Sequence, residues 1–398
     1  FWEDTGRGQR SYDVEPGGQI SVNLTALTAN GRETARAALD SWTALSGIEF
    51  VESSNAQMTF DDNKSGAYAS SSVSGGNIIS SSINIATSWS AYGDYYLQTF
   101  IHEIGHALGL GHTGNYNGSA NYGSDADFAN DSWQMSVMSY FSQTENSYTD
   151  ASYRFLATAQ LADIAAIHQL YGTPTNIATE NTTYGDGETS GRVGMGLDGW
   201  AVAIVDNGGI DLIDLGSRSS NQNLSLEAET YSDLNGSKGN FSIGRSSVIE
   251  NAITGSGQDT ISGNDADNRL ESGAGYDVID AKEGNDVLIG GAGVDQLTGG
   301  TGADRFVYEV LGDAGDTITD FDLAAGDKVD VTALLVAIGY TGDAAVTDGV
   351  ISLVAGAGGS WLMVSYNGTD TQLAFLNGVA ADADVASIID SGETPPPP

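Results

Sequence analysis

The spacing of hydrophobic and polar positions changes along the chain. Over residues 28–45, Ala35, Ala38, Leu39 and Trp42 recur every three to four positions, with Arg32, Glu33 and Asp40 falling elsewhere. That period predicts an amphipathic helix. Ile48-Glu49-Phe50-Val51 and Met58-Thr59-Phe60 read as strands. Residues 96–110 return to the helical period, with Gly109 and Gly111 near the end, and residues 157–171 predict a third helix stopped by Gly172. A helix, strands and then helices predict an α+β unit. No apolar run approaches the ~20 residues needed to span a bilayer.

After Thr173-Pro174-Thr175 the chain turns Gly/Asp-rich, with short Val/Ile/Leu strands. The expected organisation is therefore a domain over 1–172 and a second, all-β domain over 173–398. From Thr254 a nine-residue frame gives TGSGQDTIS, GNDADNRLE, SGAGYDVID, AKEGNDVLI, GGAGVDQLT and GGTGADRFV. Position six is Asp259, Asn268, Asp277, Asp286, Asp295 and Asp304; position eight is Ile261, Leu270, Ile279, Leu288, Leu297 and Phe306. This is the calcium-binding parallel β-helix repeat, here over about 254–307. Glycines permit the turns and let carbonyls face inward, at Gly255, Gly257, Gly273, Gly275, Gly284, Gly291, Gly293, Gly300 and Gly302. The Asp supplies a hard oxygen suited to Ca²⁺. The position-eight residue points into a narrow core. Two blocks make one coil, so Asp259 pairs with Asp277, Asp277 with Asp295, and Asp286 with Asp304. Ala266 and Asn268 break the pattern and predict a weak or missing site.

Charge reinforces this picture. There are 53 Asp and Glu against 14 Lys and Arg, a formal charge of −39. That balance argues against a nucleic-acid partner and against docking on anionic membranes. It calls instead for hard cations between the carboxylates, and the repulsion favours a monomer. Glycine makes up 53 of 398 residues, against a usual share of about 7%, and the repeats account for the excess. With no Cys, disulfides and thiolate metal sites are excluded. The start at Phe1, without Met or leader, is expected of a trimmed mature form, and Pro395-Pro396-Pro397-Pro398 reads as the start of a stiff linker.

His102-Glu103-Ile104-Gly105-His106-Ala107-Leu108-Gly109-Leu110-Gly111-His112 fits H-E-x-x-H-x-x-G-x-x-H in full. His102 and His106 stand one helical turn apart and can bind one Zn²⁺. Gly109 can turn the chain so that His112 returns as third ligand. Glu103 lies on the cleft side, placed to act on water as a general base. His168, the fourth histidine, reads as an ordinary helix-face residue.

The repeats resemble the RTX repeats of secreted bacterial proteins. Ser136-Val137-Met138-Ser139-Tyr140 resembles the Met-turn of metzincin metalloproteases, with Met138 as an apolar floor. Together these features resemble the serralysin family. The resemblance implies a metzincin-like α+β catalytic domain followed by a parallel β-roll with one catalytic Zn²⁺ and several structural Ca²⁺. It implies Tyr140 as a further zinc ligand that swings to stabilise the oxyanion. Asp206-Asn207-Gly208-Gly209-Ile210-Asp211 and Ile249-Glu250-Asn251-Ala252 resemble family calcium segments, which implies Asp206, Gly208, Asp211 and Glu250 as ligands. Thr113 stands where the family often has Pro. Ser387-Ile388-Ile389-Asp390, followed by Ser391-Gly392-Glu393-Thr394, departs from the family's export ending.

The expected activity is a secreted, extracellular zinc endopeptidase of bacterial type I export. Its partners are polypeptide substrates and a candidate proteinaceous inhibitor. Ala67, Tyr68 and Ala69 are the expected edge strand for substrate. A non-catalytic calcium-dependent adhesin or scaffold would suit the repeats alone, but a scaffold has no need of Glu103. A protease with a single target remains compatible with the same residues.

Overall fold

A computed structural model describes residues 8–342 and 344–390. The expectations for Phe1, for residues 391–394 and for the terminal prolines fall outside the described residues. The chain divides into two compact units. Residues up to Gly209 with Ala228–Val248 form the first, and Ile210–Glu227 with Ile249 onward form the second. The boundary expected after Gly172 therefore lies inside the first unit. The reason is apolar packing: Ala201, Ala203 and Val205 join the core built by the preceding helices and sheet. Strands Val202–Ile204 and Phe241–Ile243 pair in parallel beside them.

In the first unit, strand β1 (Gln19–Ala26) leads into helix α1 (Ala29–Ser46). Thr28 caps α1 by accepting a hydrogen bond from Gly31 N–H, and Gly47, at φ 69°, ends it. The predicted stripe of Ala35, Ala38, Leu39 and Trp42 is buried. Strands β2 (Glu49–Glu52), β3 (Met58–Asp61), β4 (Ala67–Ser74) and β5 (Asn77–Ile85) complete a sheet of order β2-β1-β3-β5-β4. All pairs are parallel except β4–β5, so β4 is an antiparallel edge. Helix α2 (Tyr95–Ala107) packs on α1 and carries the first two motif histidines. Helix α3 (Leu161–Tyr171) starts four residues later than the pattern predicts. The Asp163 carboxylate accepts Gln160 N–H in a capping box, while Ala157 N–H is engaged by Ala201 O at 3.1 Å.

The second unit holds two parallel ladders of two- and three-residue strands. One runs through Leu212–Asp214, Asn251–Ile253, Arg269–Glu271, Val287–Ile289, Arg305–Val307, Lys328–Asp330 and Ile389–Asp390. The other runs through Asn223–Ser225, Thr260–Ser262, Val278–Asp280, Gln296–Thr298 and Asp316–Ile318. All six position-eight residues are at most 1% exposed, so the frame read from the sequence is the frame of the core. A Cβ on Gly275, Gly293 or Gly302 would collide with the carbonyl oxygen of Gly257, Gly275 or Gly284 on the preceding coil. The glycines are thus needed for coil-to-coil approach as well as for turning. The unit is not wholly β or wholly parallel. It includes the short helices Thr332–Ala337 and Val385–Ile388. Ile351–Gly356, Gly359–Tyr366 and Thr369–Asn377 pair antiparallel, because tight turns join them where no coil could fit.

Candidate active site

Helix α2 presents His102 and His106 on one face, and the chain leaves it at Gly109 with φ +109°. A Cβ there would strike the Arg10 carbonyl oxygen, so this return toward the cleft needs glycine. It brings His112 back beside His106. Each imidazole is held from behind by a backbone carbonyl: His102 Nδ1 by Val137 O at 2.8 Å, His106 Nδ1 by Leu110 O at 2.9 Å, and His112 Nδ1 by Tyr116 O at 2.7 Å. A carbonyl can only accept, so each Nδ1 carries the hydrogen and each Nε2 presents a lone pair. His106 Nε2 and His112 Nε2 lie 3.0 Å apart. Two lone pairs at that distance repel unless a cation stands between them. The three ligand atoms lie within 4.8 Å of one another, the one such group of three or more found among the described residues. Burial lowers all three pKa values, that of His102 to about 4, so the imidazoles are neutral and available as ligands. The arrangement fits a zinc ion with three His ligands and an open position.

Glu103, next to His102, is buried, and its Oε2 has no hydrogen-bond partner. Burial pushes its carboxyl up to about 8. Met138 is fully buried, and its Sδ occupies the space where a Cβ on Gly105 would stand. Gly105 is therefore what lets Met138 lie against the helix that carries the ligands, a relation that the motif spacing alone does not reveal. The Tyr140 ring stands 4.5 Å from that of His112, and its Oη accepts Gly118 N–H at 3.3 Å. A cavity of about 590 Å³ is lined by Ala67, Tyr68, Ala69, the three histidines, Glu103 and Tyr140. A second, of about 530 Å³, shares His102, Glu103 and Tyr140 and adds Trp89, Tyr95 and Trp133. Ala67, Tyr68 and Ala69 lie on β4 at the sheet edge, as expected. His168 points away from this site and meets Leu45 O at 2.8 Å.

The second unit carries two columns of carboxyl groups. Gln222, Asp259, Asp277 and Asp295 each donate their backbone N–H to Oδ1 of the next Asp in the series, ending at Asp316, with N···O distances of 2.7–2.8 Å. Asn268, Asp286 and Asp304 do the same toward Asp327, at 2.7–3.0 Å. The second oxygen, Oδ2, of Asp259, Asp277, Asp286, Asp295, Asp304 and Asp316 is buried without a hydrogen-bond partner. Unpaired buried carboxylate oxygens facing glycine-lined turns fit Ca²⁺. Asp316 and Asp327 continue the columns but escape the sequence frame, because the spacing lengthens from 18 residues to 21 and 23. Asn268 differs from the Asp residues of its column in its side-chain partners. Its side-chain amide donates to Glu250 O and Asn264 Oδ1, and its Oδ1 accepts Asn264 N–H. The four residues expected to form a further calcium site are divided between the units. Asp206 and Gly208 lie in the first, where Asp206 accepts from Tyr184 Oη at 2.7 Å. Asp211 and Glu250 lie in the second, joined by a 2.8 Å hydrogen bond from Asp211 N–H to Glu250 Oε2.

Three neutral imidazoles around one point, beside a buried carboxyl in an open cleft, define a zinc-hydrolase class of centre. Comparison with known proteins places the chain more narrowly. A family model described as Peptidase M10 serralysin C terminal matches residues 173–346, and one described as Peptidase M66 matches residues 52–164. The chain is 33% identical over 419 aligned positions to metallopeptidase AprA of Pseudomonas marginalis, covering 91% of this chain and 84% of that one. It is 43% identical over 245 positions to serralysin G of Dickeya chrysanthemi, covering 59% and 49% respectively. A solved structure, the hatching enzyme zinc-protease HCE-1 of Oryzias latipes, matches 41% of this chain and 94% of its own at 17% identity, with a TM-score of 0.29. The chain belongs to the serralysin family of zinc metalloendopeptidases.

The carboxyl columns generate two predictions. Burial, with neighbouring carboxylates adding to it, raises Asp277, Asp295 and Asp304 to about 6 and Asp286 and Asp316 to about 8. Without cations the folded stack therefore binds more protons than the unfolded chain, whose Asp titrates near ~4. In excess chelator, stability of the stack should rise as pH falls from 8 toward 5 and level off near ~4. Amide-exchange protection of residues 254–307, corrected for intrinsic rates, checks this; protection that falls over that range contradicts it. In the second, Asp277→Ala should raise the calcium concentration needed for protection of the same segment, and Asn268→Ala should leave it nearly unchanged.

Proposed function

We propose that the cleft hydrolyses peptide bonds of extended extracellular polypeptides, with His102, His106 and His112 holding one zinc ion and Glu103 as general base. The observation that carries this reading is the set of three inward lone pairs beside the unpartnered Oε2 of Glu103. Zinc bound there supplies a Lewis acid that acidifies water and polarises the scissile carbonyl. Glu103 takes a proton from the attacking water as its oxygen bonds to the carbonyl carbon. The same carboxyl then gives that proton to the amide nitrogen as the C–N bond breaks, so the proton count closes. Burial raises the pKa of the Glu103 carboxyl, which makes its ionised form a stronger base for the first transfer. The Tyr140 hydroxyl, released from Gly118 N–H, donates to the developing oxyanion, and Tyr140 is the residue that would supply the further zinc ligand implied by the family resemblance. Backbone of the substrate pairs with β4 at Ala67, Tyr68 and Ala69, extending the sheet by one strand.

In this reading the metzincin-like catalytic domain begins near the N-terminus, and the RTX segment is a calcium-loaded β-roll. Calcium occupies the turns between successive carboxyls of each column, with the glycine carbonyls as further oxygens. Asp206, Gly208, Asp211 and Glu250 are assigned to calcium by family resemblance. Secretion accords with a fold that completes itself with extracellular calcium and has no thiol to oxidise.

Glu103→Gln keeps shape and zinc but removes the base. Peptide hydrolysis should fall by at least ~10²-fold, with zinc content unchanged by elemental analysis; turnover near wild type with zinc bound would remove Glu103 from the mechanism. Tyr140→Phe deletes one hydroxyl. It should lower kcat with little change in KM, and an unchanged kcat in steady-state assays would leave Tyr140 as packing alone.

A further inference from the structure

One buried carboxylate in the first unit takes no part in the mechanism above. Asp131 is 2% exposed, and it lies outside every motif, between His112 and the Met-turn. Its partners are hydroxyls. Thr113 Oγ1 donates to its Oδ1 in a short hydrogen bond. Tyr116 Oη lies 3.2 Å from Oδ1 and 3.1 Å from Oδ2, so a single phenol straddles the carboxylate, and it lies 2.7 Å from Thr113 Oγ1. Thr113 is the residue that departs from the family's usual Pro. Pro offers no hydroxyl, so the Thr113 arm of this network depends on that departure.

Tyr116 touches the metal centre in three ways. Its carbonyl oxygen accepts His112 Nδ1–H at 2.7 Å. Its ring stacks on the His112 ring at 5.4 Å and 24° and lies 4.9 Å from the Tyr140 ring. Its Oη also accepts Tyr140 N–H at 3.4 Å. A carbonyl on a loop fixes an imidazole only as well as the loop itself is fixed. The loop after His112 is short of apolar anchors: Asn115, Asn117, Gly118 and Ser119 follow. The hydrogen bonds from Tyr116 and Thr113 to Asp131 supply the missing anchor. The desolvated carboxylate must keep its donors, because a buried charge left unpaired is strongly unfavourable.

We propose that Asp131 is a positioning residue that sets the third zinc ligand, His112, and the oxyanion residue Tyr140 by holding the Tyr116 hydroxyl and so the ring and carbonyl of that tyrosine. The claim rests on the reading of His102, His106 and His112 as zinc ligands. Partners of this kind orient a ligand and typically change metal affinity by about 10–100-fold when removed.

The test measures zinc release to a chelator, kcat and KM together, in the full-length chain with calcium present. Asp131→Asn and Tyr116→Phe should each speed zinc release by about 10-fold or more and lower kcat while KM changes less than about twofold. The double variant should be no worse than the more severe single variant, since both act through one contact. Thr113→Val removes the Thr113 bonds to both Asp131 and Tyr116 but leaves the Tyr116 hydroxyl against the carboxylate, and should do less damage than Asp131→Asn. Tyr116→Phe keeps the ring, so it serves if Asp131→Asn folds poorly. Zinc release and kcat near wild type in Tyr116→Phe would overturn the proposal, as would a lowered thermal midpoint with both unchanged. Equal or greater damage from Thr113→Val would overturn it too, since the Thr113 hydroxyl and not the carboxylate would then be what holds Tyr116. Failure of the wild-type chain to hold zinc would refute the zinc reading itself, a separate outcome.

Discussion

Charge and lone-pair density buried beyond what the protein's own cations can neutralise is the constraint on which both units depend. The chain has 53 acidic side chains and 14 basic ones. In the first unit two imidazole nitrogens face each other at 3.0 Å beside a carboxyl oxygen with no partner. In the second, carboxyl groups stand in columns with one oxygen accepting from the preceding coil's backbone and the other left over. A polar group buried without compensation costs several kcal/mol, so neither arrangement is a resting point for an isolated chain. On the proposed reading both would become favourable when a cation of suitable hardness enters: zinc among nitrogens, calcium among oxygens. On that reading metal binding and folding would be one process, most strongly in the roll, where the nonads bury few apolar side chains.

The orienting work in the cleft is done by ordinary backbone. Three carbonyls set three tautomers, and each carbonyl sits where a different local feature puts it. That of Val137 belongs to the Met-turn, which Asp163 grips through Val137 N–H at 2.7 Å and Ser136 Oγ at 2.6 Å. That of Leu110 follows the glycine turn, and that of Tyr116 rests on Asp131. The same Asp163 carboxylate caps α3, so one buried acid ties the start of a helix to the floor of the metal site. Gly105 completes the floor by leaving room for the Met138 thioether.

Much of this was legible in the sequence because it is periodic or fixed in spacing. The nonad frame named the position-eight core of the roll, and the histidine motif named the three imidazoles that folding brings together. Asp316 and Asp327 were not legible, since inserted turns stretch the spacing while the coil geometry continues. The boundary near Gly209 was hidden for another reason. Ala201, Ala203 and Val205 resemble strand residues of the roll, and only their packing assigns them to the first unit. Asp131 has no motif at all; it matters through a phenol that folding brings against it. Interactions that rest on tertiary approach leave no period to read.

The most direct measurement is metal stoichiometry matched to activity. Zinc would be stripped selectively from the purified chain while calcium is kept, and peptide hydrolysis followed as zinc is returned in substoichiometric steps with elemental analysis at each step. The account predicts a linear rise in activity that ends at one zinc per chain, with amide-exchange protection of residues 254–307 unchanged throughout. Hydrolysis that persists in the zinc-free chain, or a roll that unfolds when zinc alone is removed, would contradict it.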